Sequence, residues 1–330
     1  MEKTVYAGTY TGRKSEGIYA FTFCDGKLSD PRLFAGVKNP KYISLDHGII
    51  TATADFSHGS GVAVFNGKGE IIDQIAFEER TSCHVAVDGN DIYTANYHAG
   101  TVSHLRMEDG KLKLIRSEQI QDGAGCHQII FCKDYVLVPC LFLDRVVIFD
   151  RELNCKGSLK FASGTGPRHG LITKDGEYLY LVSELSNQLF VIRTGDWKVE
   201  STVCLLPNGE KQVRDTAAIH ISEDERFVYV STRTKNVISV LEMSDHHPTL
   251  IQCVSCLGNH PRDFTLLDQY LLCANRNSDE IISFPIHEDG TLGKPVSSIS
   301  IPEAVCLVSK VAVMKAEHGF MLRFCRVKRK

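Results

Sequence analysis

A repeat of near-constant length constrains this chain of 330 residues more than any other feature. Seven similar apolar segments begin at residues 5, 49, 92, 136, 179, 228 and 271, so that the spacing is 43 or 44 residues five times and 49 once. Each segment has the composition and length of a β-strand. Repeats of this length that contain only strand-like segments are typical of a β-propeller, in which every repeat forms one blade.

Each repeat carries four strand-like segments, which is the number in a propeller blade. In the clearest repeat, Pro167–Ile172 is the first strand, Leu179–Glu184 the second and Gln188–Ile192 the third. Asp175-Gly176 lies between the first two, and Asp-Gly is a strong hairpin signal. In an antiparallel hairpin the start of one strand lies beside the end of the next, so Arg168 and His169 are expected near Glu184.

The chain ends indicate how the ring closes. The N-terminus begins at a second strand, Val5–Tyr10, and Glu303–Val308 supplies the first strand that this blade lacks. We therefore predict an all-β fold: one seven-bladed propeller domain over residues 1–308, with four-stranded antiparallel blades and a ring closed by pairing of the N- and C-terminal strands. Residues 309–330 form a C-terminal tail with no predicted role. The alternative, a β-sandwich with irregular strands, does not explain seven matching units.

Composition narrows the classes of partner. The net charge is −3 and no apolar run has the length of a membrane span, so we predict neither a nucleic-acid nor a membrane partner. The chain opens on Met1-Glu2-Lys3 and a strand-like run rather than a signal peptide. Twelve cysteines lie mostly inside apolar runs, which favours buried thiols in the cytoplasm over a disulfide framework.

Polar residues recur at matching positions around one mouth of the predicted channel. The first strand of each blade lines the channel, and its start meets the end of the second strand. The candidates at these positions are His84, His127, His169, Arg168, Arg262, Asp263, Glu184, Arg233 and Arg276. With Lys41 the set has an excess of positive charge on an acidic protein, which indicates an anionic ligand. Arginine suits phosphate or carboxylate because its planar fork binds two oxygens. For any single position the alternative to ligand binding is a structural role, in which the polar side chain is solvated at a strand end or forms an ion pair within the protein.

Metal and cofactor signals are weak. Cys253 and Cys256 form one C-x-x-C pair downstream of His246-His247, but Leu250–Val254 occupies the place of an outer strand. No G-x-S-x-G nucleophile elbow occurs, and Trp197 stands alone, so the Trp-Asp signature of a WD-repeat scaffold is missing. We predict that the protein needs neither a metal nor a cofactor.

Several short motifs together resemble one known family. They are Gly8-Thr9-Tyr10-Thr11, Asn39-Pro40-Lys41-Tyr42, Cys83-His84-Val85, Gly166-Pro167-Arg168-His169, Ser183-Glu184 and Asn259-His260-Pro261-Arg262-Asp263-Phe264. Over about residues 4–308 the chain resembles the lactonase family of seven-bladed propellers, the 6-phosphogluconolactonase type. The segment Tyr135–Leu141, which contains Pro139, is less similar to the family.

The resemblance implies hydrolysis of 6-phospho-D-glucono-1,5-lactone, a small anionic lactone, to 6-phosphogluconate in the cytosolic pentose phosphate pathway. A related branch acts on carboxymuconate lactones with a histidine, two arginines and a glutamate. The matching catalytic positions are His127, Arg168, Glu184 and Arg233. The remaining candidates, His84, His169, Arg262, Asp263 and Arg276, are expected to bind substrate.

Within this interpretation some roles stay open. Either Glu184 or His127 is the general base, and either Arg233 or Arg262 binds the phosphate, whereas Arg168 is expected to stabilise the oxyanion. A muconate-type cycloisomerase on the same residues and a non-catalytic binding propeller are the two alternative functions, since a fold alone does not fix an activity.

Overall fold

Seven four-stranded antiparallel sheets form the molecule. We analysed a computed structural model, which describes residues 1–309. The order of pairing within every sheet follows the chain, except in the blade that contains both ends. The predicted all-β, seven-bladed propeller is confirmed. A 3₁₀ turn at Leu141–Leu143 is the sole helical element within residues 1–309.

The strands are numbered β1 to β28 along the chain, and each blade is given from its inner to its outer strand. Blade 7 contains β28 (Ala304–Ser309), β1 (Lys3–Thr9), β2 (Gly17–Cys24) and β3 (Lys27–Gly36). Blade 1 contains β4 (Ile43–Asp46), β5 (Ile49–Phe56), β6 (Gly59–Phe65) and β7 (Ile71–Glu78). Blade 2 contains β8 (His84–Asp88), β9 (Asp91–Asn96), β10 (Thr101–Glu108) and β11 (Lys111–Gln119). Blade 3 contains β12 (Ile130–Cys132), β13 (Tyr135–Cys140), β14 (Arg145–Asp150) and β15 (Cys155–Lys160).

The remaining three blades follow the same plan. Blade 4 contains β16 (Pro167–Ile172), β17 (Tyr178–Ser183), β18 (Gln188–Arg193) and β19 (Lys198–Cys204). Blade 5 contains β20 (Thr216–Ile221), β21 (Phe227–Thr232), β22 (Val237–Ser244) and β23 (His247–Ser255). Blade 6 contains β24 (Pro261–Leu267), β25 (Tyr270–Asn275), β26 (Glu280–Pro285) and β27 (Ser297–Ser300).

The hydrophobic core lies between blades rather than within them. Each sheet packs between two neighbouring blades, and the side chains of a strand alternate between the two faces of its sheet. The middle strands are therefore apolar on both faces. Between blades 5 and 6, for example, Tyr229 and Val240 pack with Phe264 and Phe284. This packing fixes the inner strands around the channel and holds their first residues at one mouth.

The two chain ends close the ring as predicted. Strand β1 pairs with β28 in antiparallel register, with Val5 opposite Ser309 and Gly8 opposite Cys306. The buried Asp263 of blade 6 accepts a hydrogen bond from the backbone N–H of Leu307 at 2.8 Å, which ties the closing strand to its other neighbour.

Bulges in the inner strands turn particular side chains toward the channel mouth. In blade 4, Pro167 lies opposite Ser183 and His169 opposite Val182, so Arg168 is the extra residue without a cross-strand partner. The same irregularity in blade 6 leaves Arg262 as the extra residue. A bulge redirects a side chain without ending the strand, so these two arginines leave the alternation of their strands.

One predicted inner strand is wrong in part. By analogy with Pro167–Ile172, the repeat predicts an inner strand at Gly125–Ile130, but β12 covers only Ile130–Cys132, and an isolated bridge joins Cys126 to Cys140. The cause is Pro139, which accepts a hydrogen bond from His127 N at 2.9 Å but has no N–H to return one. The carbonyl of His127 instead lies 3.5 Å from the thiol of Cys83.

Two other sequence expectations concern segments at the edges of the fold. Leu250–Val254 lies in the outer strand β23, as expected. The predicted tail, residues 309–330, lies outside the described residues apart from Ser309, which ends β28. Within the described chain, no helix is long and apolar enough to span a membrane.

We propose that residues 1–308 form one domain, and truncation tests this boundary. A chain ending at Ser309 is expected to melt within about 3 °C of the full chain. A chain ending at Glu303 lacks β28, leaves β1 as an open edge, and is expected to melt at least about 10 °C lower or to aggregate. Circular dichroism during heating measures both. Equal melting temperatures for the two truncated chains would contradict a role for β28 in ring closure.

Candidate active site

An open pocket of about 220 Å³ lies at the channel mouth where the inner strands begin. Its lining residues include Tyr10, Lys41, Cys83, Tyr97, His127, Glu184, Arg233 and Arg262. A second cavity of about 10 Å³ shares five of these residues and is also lined by Tyr42, Arg168, His169 and Asp263. Its volume is about that of one water molecule. The pocket therefore narrows to a position for a single small group beside His127.

A partly buried carboxylate between two guanidinium groups forms one wall. Glu184 Oε2 accepts a hydrogen bond from Arg168 Nε at 2.7 Å, and Glu184 Oε1 lies 3.0 Å from Arg233 Nη2. The Arg168 side chain is 1% exposed and also donates from Nη1 to the carbonyl of Ala217 at 2.6 Å. The sequence expectation that Arg168 lies beside Glu184 is therefore confirmed geometrically.

Burial and charge act against each other on this carboxylate. Burial favours the protonated acid, but the positive charges of Arg168 and Arg233 outweigh it and hold the pKa of Glu184 below its ordinary value. Burial also lowers the pKa of Arg168 to about 10, although Glu184 opposes that change. At neutral pH the wall is a carboxylate flanked by two cations.

A second carboxylate, from Asp215, neutralises Arg233. Arg233 Nη2 lies 2.5 Å from Asp215 Oδ1. Neither this ion pair nor the one with Glu184 has the geometry of a hydrogen bond at Nη2. Arg233 Nε donates to the carbonyl of Asp215 at 3.2 Å. Asp215 was not among the sequence-predicted site residues. Asp215 directly precedes β20. In β20 the positions that match Arg168 and His169 carry only Ala217 and Ala218.

Two histidines form a buried pair. His127 Nδ1 and His169 Nε2 are 3.1 Å apart, so one donates a hydrogen bond to the other. Burial, reinforced by the positive charge of Arg168, holds the pKa of both imidazoles well below the ordinary value of 6.5. Both rings are therefore neutral at pH 7. If His127 Nδ1–H is the donor, His127 Nε2 keeps the lone pair that a general base needs.

The opposite wall carries cations without acidic partners. Lys41 Nζ, Arg262 Cζ and Arg276 Cζ lie 5.9, 5.6 and 4.2 Å from the centre of the Tyr10 ring. Among residues 1–309, no carboxylate oxygen comes within 4.0 Å of any of the three cations. Cation–π contact with one phenol ring holds them together. This side of the pocket is therefore open to an anion.

Three predicted substrate-binding residues occupy other positions. His84 stacks on Tyr42 at 4.0 Å and lies in a groove at the opposite channel mouth, and burial lowers its pKa to about 3. The residue that matches Arg168 and Arg262 in this blade is Cys83, which lines both cavities. Asp263 faces the small cavity but is committed to Leu307 N. Arg276 reaches the pocket only through Tyr10.

Two residues of the site, Tyr10 and Asp215, were not predicted from the sequence, and Lys41 was counted in the charge of the mouth without being assigned to the site. Tyr10 and Lys41 occupy the same aligned strand-end positions as Glu184 and Arg168 respectively, so the signal for them was in the repeat alignment. Asp215 had no such signal, because it belongs to a connection that is longer than its counterparts. Within residues 1–309, no three His, Cys, Asp or Glu side chains are arranged to hold a metal ion.

Comparison with known proteins agrees with this architecture. A family model described as Lactonase, 7-bladed beta-propeller matches residues 4–309. A 6-phosphogluconolactonase of Bacillus subtilis (strain 168) is 31% identical over 337 residues, which cover 92% of this chain and 97% of that protein.

Solved structures give the same result. A protein from Lactobacillus plantarum is 28% identical with a TM-score of 0.89, and the match covers 94% of this chain and 99% of that one. A putative 6-phosphogluconolactonase from Bacteroides fragilis NCTC 9343 is 25% identical with a TM-score of 0.82, covering 93% and 98% respectively. The chain therefore belongs to the lactonase family of seven-bladed β-propellers and is a lactonase-type hydrolase, as the sequence resemblance predicted.

Proposed function

We propose that this protein hydrolyses a phosphorylated sugar lactone, with 6-phospho-D-glucono-1,5-lactone as substrate and 6-phosphogluconate as product. The observation that carries the proposal is the division of charge in the pocket. One wall has two arginines neutralised by Glu184 and Asp215. The other has Lys41 and Arg262, with Arg276 against the Tyr10 ring, and none of these three has an acidic partner among residues 1–309. The first wall suits chemistry on a neutral ester, and the second suits a phosphate dianion.

Arg262 is the better candidate for the phosphate. The sequence left Arg233 and Arg262 as competing choices. Arg233 would have to leave Glu184 and Asp215, at 3.0 and 2.5 Å, to bind an anion fully, and this would leave two partly buried carboxylates without their counter-charge. Arg262 has no such contact, lines both cavities and lies beside the equally free Arg276. The phosphate therefore binds at Arg262, with Lys41 and Arg276 adding to the positive potential.

His127 is the better candidate for the general base. Both oxygens of Glu184 face guanidinium groups, and its pKa is lowered, so its carboxylate is a weak proton acceptor. His127 is neutral and borders the cavity that has room for one water molecule. Arg168, Arg262 and Arg233 add to the effect of burial on its pKa, so a bound phosphate dianion near Arg262 would raise that pKa toward neutrality.

The reaction then follows from the positions of the groups. His127 removes a proton from the water molecule as its oxygen attacks the lactone carbonyl carbon. Arg168, which lines the same small cavity, stabilises the negative charge that develops on the carbonyl oxygen. The ring C–O bond breaks, and the protonated His127 returns the proton to the leaving ring oxygen. Glu184 holds Arg168 and Arg233 in place throughout.

The proposal includes a cytoplasmic location, since the substrate belongs to sugar-phosphate metabolism. Within residues 1–309 eleven cysteines are free. Free thiols are usual in the cytosol, where they are kept reduced.

Substrate preference tests the charge division. The purified protein is expected to accelerate hydrolysis of 6-phosphogluconolactone over unphosphorylated gluconolactone, after subtraction of the spontaneous rate. Arg262→Ala removes a charge-assisted contact of about 1.5–3 kcal/mol, so the KM for the phosphorylated lactone should rise about 10-fold or more. The KM for gluconolactone should change less than about threefold, and the exposed Arg226→Ala is the matched control. Equal loss on both lactones would contradict the assignment of Arg262, and no acceleration of either would favour the muconate-type alternative.

Single substitutions of the two candidate bases separate their roles. His127→Ala should lower kcat at least tenfold with the fold intact, because it removes a general base. Glu184→Gln should lower kcat by a similar factor and also lower the melting temperature, because two buried guanidinium groups lose their shared carboxylate. His58→Ala, on an exposed turn, is the control. Wild-type turnover in both variants would show that the site lies elsewhere.

A further inference from the structure

One repeat is longer than the others, and the proposed reaction does not explain the extra residues. The spacing of 49 falls between the segments that begin at 179 and 228. In the structure, the connection from β19 to β20 covers residues 205–215, whereas the corresponding connection before β16 covers only 161–166. Connections of this kind lie at the same channel mouth as the pocket, because they lead into the starts of the inner strands.

The long connection is anchored at both of its ends. At its start, Leu205 is fully buried, and its carbonyl accepts a hydrogen bond from Ser239 Oγ at 2.5 Å. In its middle, Glu210 pairs with Lys235 at 3.1 Å. At its end, the carboxylate of Asp215 bonds the hydroxyl of Thr234 and pairs with Arg233. The segment thus delivers one carboxylate to the pocket wall and fixes it there.

The other blades show which part of this contact is specific to blade 5. A backbone hydrogen bond from the residue after the second strand to the residue before the inner strand recurs in blades 4 to 7. The pairs are Glu184 N to Gly166 O, Arg233 N to Asp215 O, Arg276 N to His260 O and Tyr10 N to Glu303 O. Arg233 and Arg276 occupy equivalent positions, yet only Arg233 has a carboxylate at the preceding site. Asp215 therefore decides that Arg233 is neutralised while Arg276 stays free.

We propose that Asp215 is a positioning residue, which holds Arg233 against Glu184 and keeps Arg233 from acting as an anion-binding site. The proposal rests on the proposed function for its kinetic consequences only. Arg168, Glu184, Arg233 and Asp215 form a row of alternating charges with contacts of 2.7, 3.0 and 2.5 Å. Without the carboxylate of Asp215, the other three groups of this row have a net positive charge beside His127. Arg233 would then compete with Arg262 for the phosphate and bind the substrate in a nonproductive position.

This arrangement also protects the proposed base. Arg233 is one of the cations that depress the pKa of His127, after burial, Arg168 and Arg262. The carboxylates of Glu184 and Asp215 offset its charge. The other titratable groups that line the pocket are Tyr10, Lys41, Cys83, Tyr97, His98 and Arg262. Loss of the Asp215 charge therefore weakens His127 as a proton acceptor, in addition to releasing Arg233.

Asp215→Asn tests the proposal, because it removes the charge while keeping the size and one acceptor oxygen. The kcat for the lactone that the wild-type protein hydrolyses fastest is expected to fall about tenfold or more, with KM unchanged or lower because the released Arg233 adds affinity. Asp215→Glu, which restores the charge, should recover a large part of the activity. Glu210→Gln is the matched control: it breaks the other ion pair of the same connection without touching Arg233, and kcat should stay within about twofold of wild type.

A double-mutant cycle shows whether Asp215 acts through Arg233. In an Arg233→Lys background, Asp215→Asn should change kcat less than about threefold. An equal loss in that background, an equal loss in Glu210→Gln, or wild-type kcat in Asp215→Asn would overturn the proposal.

A readout without substrate separates this proposal from the lactonase reaction. The Nη–H protons of Arg233, which lie against the Asp215 carboxylate, should exchange with water at least about tenfold faster in Asp215→Asn than in the wild-type protein, as observed by nitrogen-15 NMR. Unchanged exchange would contradict the positioning role. If no lactone is hydrolysed but the exchange rate rises as expected, the proposed function is wrong and the role of Asp215 in holding Arg233 stands.

Discussion

The interaction on which the candidate site depends is the shared carboxylate of Glu184 between Arg168 and Arg233. A fully buried guanidinium group has an effective desolvation penalty of several kcal/mol, so Arg168, at 1% exposure, requires a close counter-charge. Glu184 meets this requirement from the end of the neighbouring strand, because the antiparallel hairpin brings the start of β16 beside the end of β17. The hairpin geometry that builds every blade thus also builds the charged wall of the pocket.

Division of the cations into two groups gives the pocket its chemical character. Four arginines and one lysine surround the mouth, but Arg168 and Arg233 are neutralised, whereas Lys41, Arg262 and Arg276 face the Tyr10 ring without a carboxylate among residues 1–309. An anion placed in this field is attracted to the second group. The phosphate of the proposed substrate would therefore bind on one wall and direct its lactone ring toward His127, Arg168 and the single-water cavity on the other.

The repeat pattern predicted nearly all of the fold, because each blade repeats the same hairpins and the spacing alone identifies them. It failed in the inner strand beside His127, where Pro139 cannot complete the hydrogen-bonded pair. Alignment of strand ends also placed Arg168, Glu184, Arg233 and Arg262 around one mouth. It could not show that a bulge turns Arg168 and Arg262 toward the pocket, or that His84 lines a groove at the other mouth. Asp215 escaped the alignment because a long connection has no counterpart in the repeat.

The central claim is that the free cations bind the phosphate while the neutralised arginines remain paired. A crystal structure of the protein with bound 6-phosphogluconate tests it most directly. We expect phosphate oxygens within about 3 Å of Arg262, with Lys41 or Arg276 close by, the product carboxylate near His127 and Arg168, and an intact contact between Glu184 and Arg233. A phosphate bound to Arg168 or Arg233 with Glu184 displaced would contradict it.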